Sequence, residues 1–574
     1  VTEKKVQVLV VNQIEGSQTG GFTYEDKGPT YLQTLAPTYL RSHFYHTFCA
    51  EPVNCIQIAA ALRAQGLEVA VLDGLLGNMN KDALIEEILR WDAEIYCFSI
   101  FHSSYFPVID IMRAIRARNP KSVIITGGNY ATLVYGQLLS RNPEIDYVVV
   151  GESDDALPAA CKKILAKEDP TTVPGVAYRS NSALMSQGAE GRIKLNPPRI
   201  PDIATVQPLA RDFAKEVLAN EFSFSLHSSR GCGFGVCTFC YLPEYQKISN
   251  IPKWRGKPPE MIVSEIEDLK MRYGIKHITF VDEDFMGPNF DGIARAVAFA
   301  KLLIERKVNV TWYANCLVLS VFSLVKNGHL PILAESGLRY LFVGIESGSN
   351  HILKRFKKGF TIKGLQRIVG ELNKYNIRIN PGLITFVPES TPEEVKANVD
   401  VIKLIDYYDI FVFTRRLVML PGTEEGCGCA ATDVDSDGAS TWNLPDEDYQ
   451  KALAIDVKID PETYFEHPAT RLLFVGMSEF RDHLYVLYEY LTRNHRNISP
   501  DARRELSEHH FRFFNELYTH VQDGRLRSYE DVSGFVKTGL EQAHEIASRI
   551  DPMGEPEQSA PRVAVRPAQA VGSA

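Results

Sequence analysis

Between residues 6 and 180, short apolar runs alternate with stretches whose apolar positions recur every three or four residues. Val6-Gln-Val-Leu-Val-Val11, 67–72, 93–100, 122–126 and 145–150 read as buried strands, with helices over 56–65, 81–91 and 107–117 between them. This alternation predicts a five-stranded, doubly wound parallel sheet, a Rossmann-like α/β fold that binds ligands at the carboxyl ends of its strands. A loop-rich linker with Pro197, Pro198, Pro201 and Pro208 leads out of it. A second series follows, with strands at 222–226, 275–281, 308–313, 339–343, 378–386 and 410–417 and helical stretches at 261–272, 291–306, 363–375 and 391–405. Six β-α units predict a partial (β/α)6 barrel whose working face is again the C-terminal strand ends. Beyond 425 the pattern turns helical and aromatic over 446–455, 464–492 and 501–519, and 551–574 lacks periodicity and is expected to be disordered. The expected division is 1–185, linker 186–220, barrel 221–425, helical cap 426–550 and tail 551–574.

Composition narrows the class. At 574 residues the chain exceeds what one core usually serves, and 45% apolar with 23% charged residues is ordinary for a globular protein. Lys+Arg 62 against Asp+Glu 71 leaves −9 without a large basic block, so no nucleic-acid partner is expected. No apolar run reaches membrane-spanning length, and Val6 to Val11 is too short for a signal-peptide core, so no membrane partner is expected either. Ten cysteines scattered over this length do not form a secreted disulfide pattern; they predict a cytoplasmic protein.

The strand-end loops carry the first chemistry. Asp73-Gly74, Ser99-Ile-Phe-His102, Gly127-Gly128-Asn129-Tyr-Ala-Thr132 and Gly151-Glu152 fall where strands stop. Paired glycines let a large planar or phosphorylated ligand approach the backbone. No Gly-x-Gly-x-x-Gly follows the first strand, so a dinucleotide site is unsupported, and a purely structural flavodoxin-like domain would share these loops.

The densest chemistry is Cys232-Gly-Phe-Gly-Val-Cys237-Thr-Phe-Cys240. Three thiolates can hold three corners of a cubane iron–sulfur cluster and leave its fourth iron open. A structural zinc site is the rival; it wants four ligands, which His227 or the pair Cys427 and Cys429 could complete.

With these motifs together, residues 5–425 resemble the radical S-adenosylmethionine (SAM) superfamily, in particular its members with an N-terminal cobalamin-binding domain. The resemblance implies a four-iron four-sulfur cluster on Cys232, Cys237 and Cys240, SAM chelated to the open iron, and cobalamin on the first domain. It also implies reductive cleavage of SAM to a deoxyadenosyl radical, fed by an external one-electron donor such as flavodoxin or ferredoxin. The first gap holds four residues where the family usually has three; two glycines within it can absorb the insertion. Phe239 matches the position bordering adenine, Asp284 could accept the methionyl ammonium, Glu346 and Ser347 match the ribose and methionyl segment, Ile384 the adenine pocket, and Arg415 could meet a carboxylate. Trp312, Tyr313 and Asn315 could line the substrate cavity. On the first domain, Asp73, Ser99, His102, Gly127, Gly128, Asn129, Thr132, Gly151 and Glu152 match corrin and nucleotide loops. Asp73-Gly-Leu-Leu-Gly-Asn78 lacks the histidine of methylcobalamin domains, and His102 is the nearest substitute ligand. The implied activity is methyl transfer from methylcobalamin to carbon of a small-molecule, amino-acid or peptide substrate. A rearrangement, oxidation or cyclisation would leave the same signs, and a cobalamin- or metal-binding sensor is the non-enzymatic alternative.

Overall fold

The computed structural model describes residues 4–12, 51–74, 79, 81–101, 104–180, 193–219, 223–407, 410–426, 433–434, 439–441, 461–494 and 500–550. The helix expected at 446–455, the tail from 551, His102, Cys427 and Cys429 lie outside these residues.

The apolar runs of the first half become β1 (Lys4–Asn12), β2 (Val69–Asp73), β3 (Trp91–Ser99), β4 (Val123–Gly127) and β5 (Tyr147–Val149). They pair in parallel in the order β2-β1-β3-β4-β5. The continuous run in β1 is explained by burial on both faces. Leu9 and Val11 enter one core with Phe98, Ile124 and Val148, while Val8 and Val10 enter the other with Cys55, Leu62, Cys97 and Cys161. Helices Val53–Ala64 and Ala156–Leu165 cover the second face, and Lys81–Ile88 and Tyr105–Arg118 the first. The order reverses at β1, so the crevice between the ends of β1 and β3 is the topological switch point where such sheets take ligands.

The sheet extends further than the pattern predicts. Val176–Arg179 (β6) and Ile193–Leu195 (β7) add antiparallel strands, the latter inside the stretch read as a linker. Asp433–Val434 and Ala439–Thr441 then return from far along the chain, Ala439–Thr441 pairing antiparallel with β7.

The second sheet is parallel in the order β14-β13-β12-β11-β8, from Phe224–Leu226 (β8), His277–Phe280 (β11), Thr311–Leu317 (β12), Leu338–Glu346 (β13) and Arg378–Leu383 (β14). Between its first two strands lies an antiparallel hairpin, Ser229–Gly231 (β9) and Trp254–Gly256 (β10), that flanks the three cysteines. The sixth unit, expected as a strand over 410–417, is instead a short 3-10 helix over Ile410–Thr414. Only Arg416 then bridges to Phe386, with Phe386 N–H donating to Arg415 O (2.9 Å) and Leu417 N–H to Phe386 O (2.8 Å). The physical reason is competition for the apolar run: Phe413 packs edge-on against Phe511 at 5.0 Å, in the C-terminal helices rather than a sheet. Those helices, Pro461–Tyr464, Pro468–Asn494, Pro500–Gln522 and Tyr529–Ile550, share one continuous core with the barrel.

Candidate active site

The cysteine loop leaves β9 through Gly231, whose φ of +86° and 2.2 Å clearance from Lys253 O admit no side chain. The longer first gap is accommodated by its two glycines. Gly235 takes a φ of +52°, and a Cβ on Gly233 would lie 2.3 Å from Pro288. Cys232 is buried and Cys237 and Cys240 half-buried. Burial pushes all three thiols up, Cys240 to about 12, and Cys232 and Cys237 add to the shift at Cys240. Thiols that resist ionisation when empty become ligands when a metal supplies the compensating charge. Among the described residues no three His, Cys, Asp or Glu side chains converge on a single ion, while the thiolates of a cubane each take a different iron and need no such convergence. His227 turns its Nδ1 to Asp282 at 3.8 Å, not to the thiols.

Beside the loop, β11 ends in Asp282-Glu283-Asp284. Asp282 is buried yet stays below the usual carboxylate range: burial opposes its charge, but His227 and the amide and hydroxyl of Ser228 hold it ionised. Asp284 has no such support. Both its carboxyl oxygens are buried without a full hydrogen bond, and burial lifts its pKa to about 7 although the Gly287 and Met286 amides pull the other way. It lies near enough to Cys232 to raise that thiol. An orphaned carboxyl beside three thiols fits a cationic ligand held at an open cluster. Because the folded pKa is raised, its contribution favours the fold at low pH. The cluster-free protein is expected to lose stability as pH rises from 3.8 through about 7, and Asp284→Asn to flatten that slope, as thermal unfolding at a series of pH values would read.

Across the barrel mouth, Glu346 ends β13 with a φ of +68° and accepts from Lys358 Nζ at 3.1 Å. Burial would discharge Lys358, but Glu346, Cys237 and Cys240 hold its pKa up. Its ammonium lies 5.7 Å from the Phe239 ring, which packs on Phe356 at 4.9 Å. Phe239 and Ile384 share one small apolar cluster with Phe356, Val387 and Leu417, and Ile384 N–H donates to Glu346 O at 2.8 Å. The structure thus brings Phe239, Glu346 and Ile384 to the thiols. Ser347 is turned inward, donating to Asn398 Oδ1 at 2.8 Å, and Arg415 donates to Pro381 O at 3.2 Å. Trp312 does not face a cavity; it packs among Phe280, Phe285 and Phe299, and its indole N–H donates to Ser336. Asn315 steadies the acidic turn by donating to Asp282 O at 2.8 Å. Lys358 was missed by sequence reasoning, although the run Lys357-Lys358-Gly359 so soon after Glu346 was a signal.

On the first domain, Asp73, Ser99 and Gly127 end β2, β3 and β4 around the switch point. Asn12 donates to Asp73 at 3.1 Å, and Asn54 to Ser99 Oγ at 3.4 Å. Gly128 has a φ of +97°, and a Cβ there would lie 2.8 Å from Ser99 Oγ, so its bareness keeps the crevice floor open. Gly128→Ala is expected to cost about 1–3 kcal/mol in chemical denaturation of the full chain. Thr132 Oγ1 accepts from Gly151 N–H at 2.9 Å and fastens the last two loops together. Asn129 and Glu152 point elsewhere, to the barrel: Asn129 donates to Tyr241 at 2.6 Å, and Glu152 pairs with Arg230 and Arg255.

Two family models match this architecture, the radical SAM superfamily over residues 226–402 and the B12 binding domain over residues 47–161. The chain is a cobalamin-dependent radical SAM enzyme. Its cofactors are a four-iron four-sulfur cluster, SAM and cobalamin. An uncharacterized methyltransferase of Pyrococcus horikoshii is 24% identical over 356 residues, covering 62% of this chain and 73% of that protein. An anaerobic magnesium-protoporphyrin IX monomethyl ester cyclase of Rubrivivax gelatinosus is 24% identical over 368 residues, covering 61% of this chain and 63% of the cyclase, just under two thirds. The cobalamin-dependent SAM radical enzyme OxsB, solved with aqua-cobalamin and SAM bound, superposes with a TM-score of 0.60 at 17% identity, over 95% of this chain and 80% of OxsB. Radical SAM enzymes generally need an electron donor and a small-molecule substrate. Among the described residues no helix is long and apolar enough to cross a membrane.

Proposed function

We propose that this radical SAM enzyme is a methyltransferase that places a methyl group on a carbon of a small molecule, amino acid or peptide. The observation that carries the reading is the direct seating of the cluster loop on the strand-end loops of the B12 domain, at Asn129–Tyr241 and Glu152–Arg230. A substrate held between the two cofactor sites meets both a radical source and a methyl donor. When bound, the cofactors supply those two reagents; the chain supplies geometry and exclusion of water.

In this reading Cys232, Cys237 and Cys240 hold the cluster, and Asp284, ionised by a nearby ammonium, orients the methionyl end of SAM. Lys358 holds the Glu346 carboxylate in place through its hydrogen bond, while Phe239 and Ile384 offer an apolar face to adenine. Asp73, Ser99, Gly127 and Gly128 form the crevice for cobalamin, with Thr132 and Gly151 buttressing it. The methyltransferase of Pyrococcus horikoshii among the relatives supports methyl transfer, and the cyclase supports a second reading, oxidative ring formation. Anaerobic reconstitution with methyl-labelled SAM, a flavodoxin or ferredoxin reductant and candidate substrates separates them. Label in the product supports methyl transfer; deoxyadenosine with unlabelled, altered product supports cyclisation; absence of both rejects the reading.

A further inference from the structure

The cysteine loop is gripped at both ends by the B12 domain. Before Cys232, Arg230 donates from Nη1 to Glu152 at 2.8 Å and reaches Asp154 from both Nη1 and Nη2, at 2.6 and 3.0 Å. Arg255, paired opposite Arg230 across the β9–β10 hairpin, binds the other oxygen of Glu152. Gln57, on the helix Val53–Ala64, donates to Asp154 at 3.2 Å and ties the network into the first domain. All four charged side chains are largely buried, at 15% or less exposure. After Cys240, Tyr241 accepts from Asn129 at 2.6 Å, and the helix Leu242–Ser249 lies so close that a Cβ on Gly151 would sit 3.0 Å from Ser249.

We propose that the Glu152–Asp154–Arg230–Arg255 network and the Asn129–Tyr241 bond form a two-point clamp that sets the distance and orientation of the iron–sulfur cluster relative to cobalamin. Asn129 and Glu152 are then positioning residues for the cluster, not contacts to the corrin. The physical case has three parts. Two guanidinium forks and two carboxylates offer few alternative arrangements, since each buried charge has to be matched in place. Arg230 stands two residues before Cys232 and Tyr241 directly after Cys240, so almost no chain intervenes to dissipate the grips. Reactions between two bound groups lose rate steeply when their separation drifts by an ångström, so a fixed spacing has a use here that a generic interface lacks. The proposal rests on the cofactor set and is independent of whether methyl transfer is the outcome.

The test reads geometry rather than turnover. Holoenzyme and the variants Glu152→Gln, Tyr241→Phe and their double would be loaded with both cofactors, and loading checked by absorbance. Microwave power saturation of the cob(II)alamin electron paramagnetic resonance signal is then compared with the cluster oxidised and reduced, because a nearby paramagnetic cluster speeds cobalt relaxation in a distance-dependent way. The wild type is expected to show strong enhancement, each single variant a smaller one, and the double a several-fold loss at equal cofactor occupancy. A role confined to stability would lower the unfolding temperature and leave the enhancement untouched. Unchanged enhancement in both fully loaded single variants overturns the clamp, and this comparison stands even if the double variant does not fold.

Discussion

Replacing Cys232, Cys237 or Cys240 singly by alanine is expected to abolish cluster absorbance and cut SAM cleavage by roughly a thousandfold or more, to the reagent background. The loop offers no spare ligand among the described residues: His227 is directed to Asp282, and Cys316, the other nearby cysteine, is buried in the barrel core. Folding should survive, because an empty thiol in this loop behaves as a small apolar group and alanine fills most of its volume. The diagnostic pattern is therefore a normal circular dichroism spectrum and cobalamin uptake, with iron and sulfide content reduced to background. Retention of a full cluster in any one variant would falsify the ligand assignment.

The second large effect belongs to Arg230. Its guanidinium neutralises Glu152 and Asp154 at once, and the three side chains are 15%, 7% and 9% exposed. Burial alone would lower its pKa; the two carboxylates overcome this and raise it above the ordinary arginine value. Arg230→Met keeps an unbranched apolar stem but removes the guanidinium, and strands two buried carboxylates with Arg255 and Gln57 as their remaining partners in this network. Removing one partner from such a buried set typically costs about 3–5 kcal/mol. Urea denaturation of the cofactor-free chain should show that loss, and Glu152→Gln a smaller one, since Arg230 keeps Asp154.

Both predictions turn on residues that were unequally legible in the sequence. The parallel sheets were readable because Val8 to Val11 and the matching runs are buried on both faces, which leaves an unbroken apolar signature. The thiol loop was readable because its chemistry is local. Partners distant in sequence were not: Glu152 and Asn129 could be placed at strand ends, but nothing in either loop reveals that Arg230 lies 78 positions on or Tyr241 112. Ser347 illustrates a subtler limit. Its position at the end of β13 was right, but one residue separates the face carrying Glu346 from the face where Asn398 waits. The stretch 410–417 was misread as a strand because Phe413 and its neighbours have strand composition, and only the presence of Phe511 and Phe514 decides that their burial is helical in origin.

The late return of Ala439–Thr441 to β7 has a consequence for biosynthesis. Roughly 240 residues of chain separate the two strands. At ~5–20 residues per second the ribosome needs about 10–50 s to make them. Through that interval β7 is an open edge, a template for pairing with the neighbouring nascent chain. Premature termination within the barrel would leave the edge uncovered for good, so truncated products of this gene should be recovered as aggregates even where their first sheet has folded.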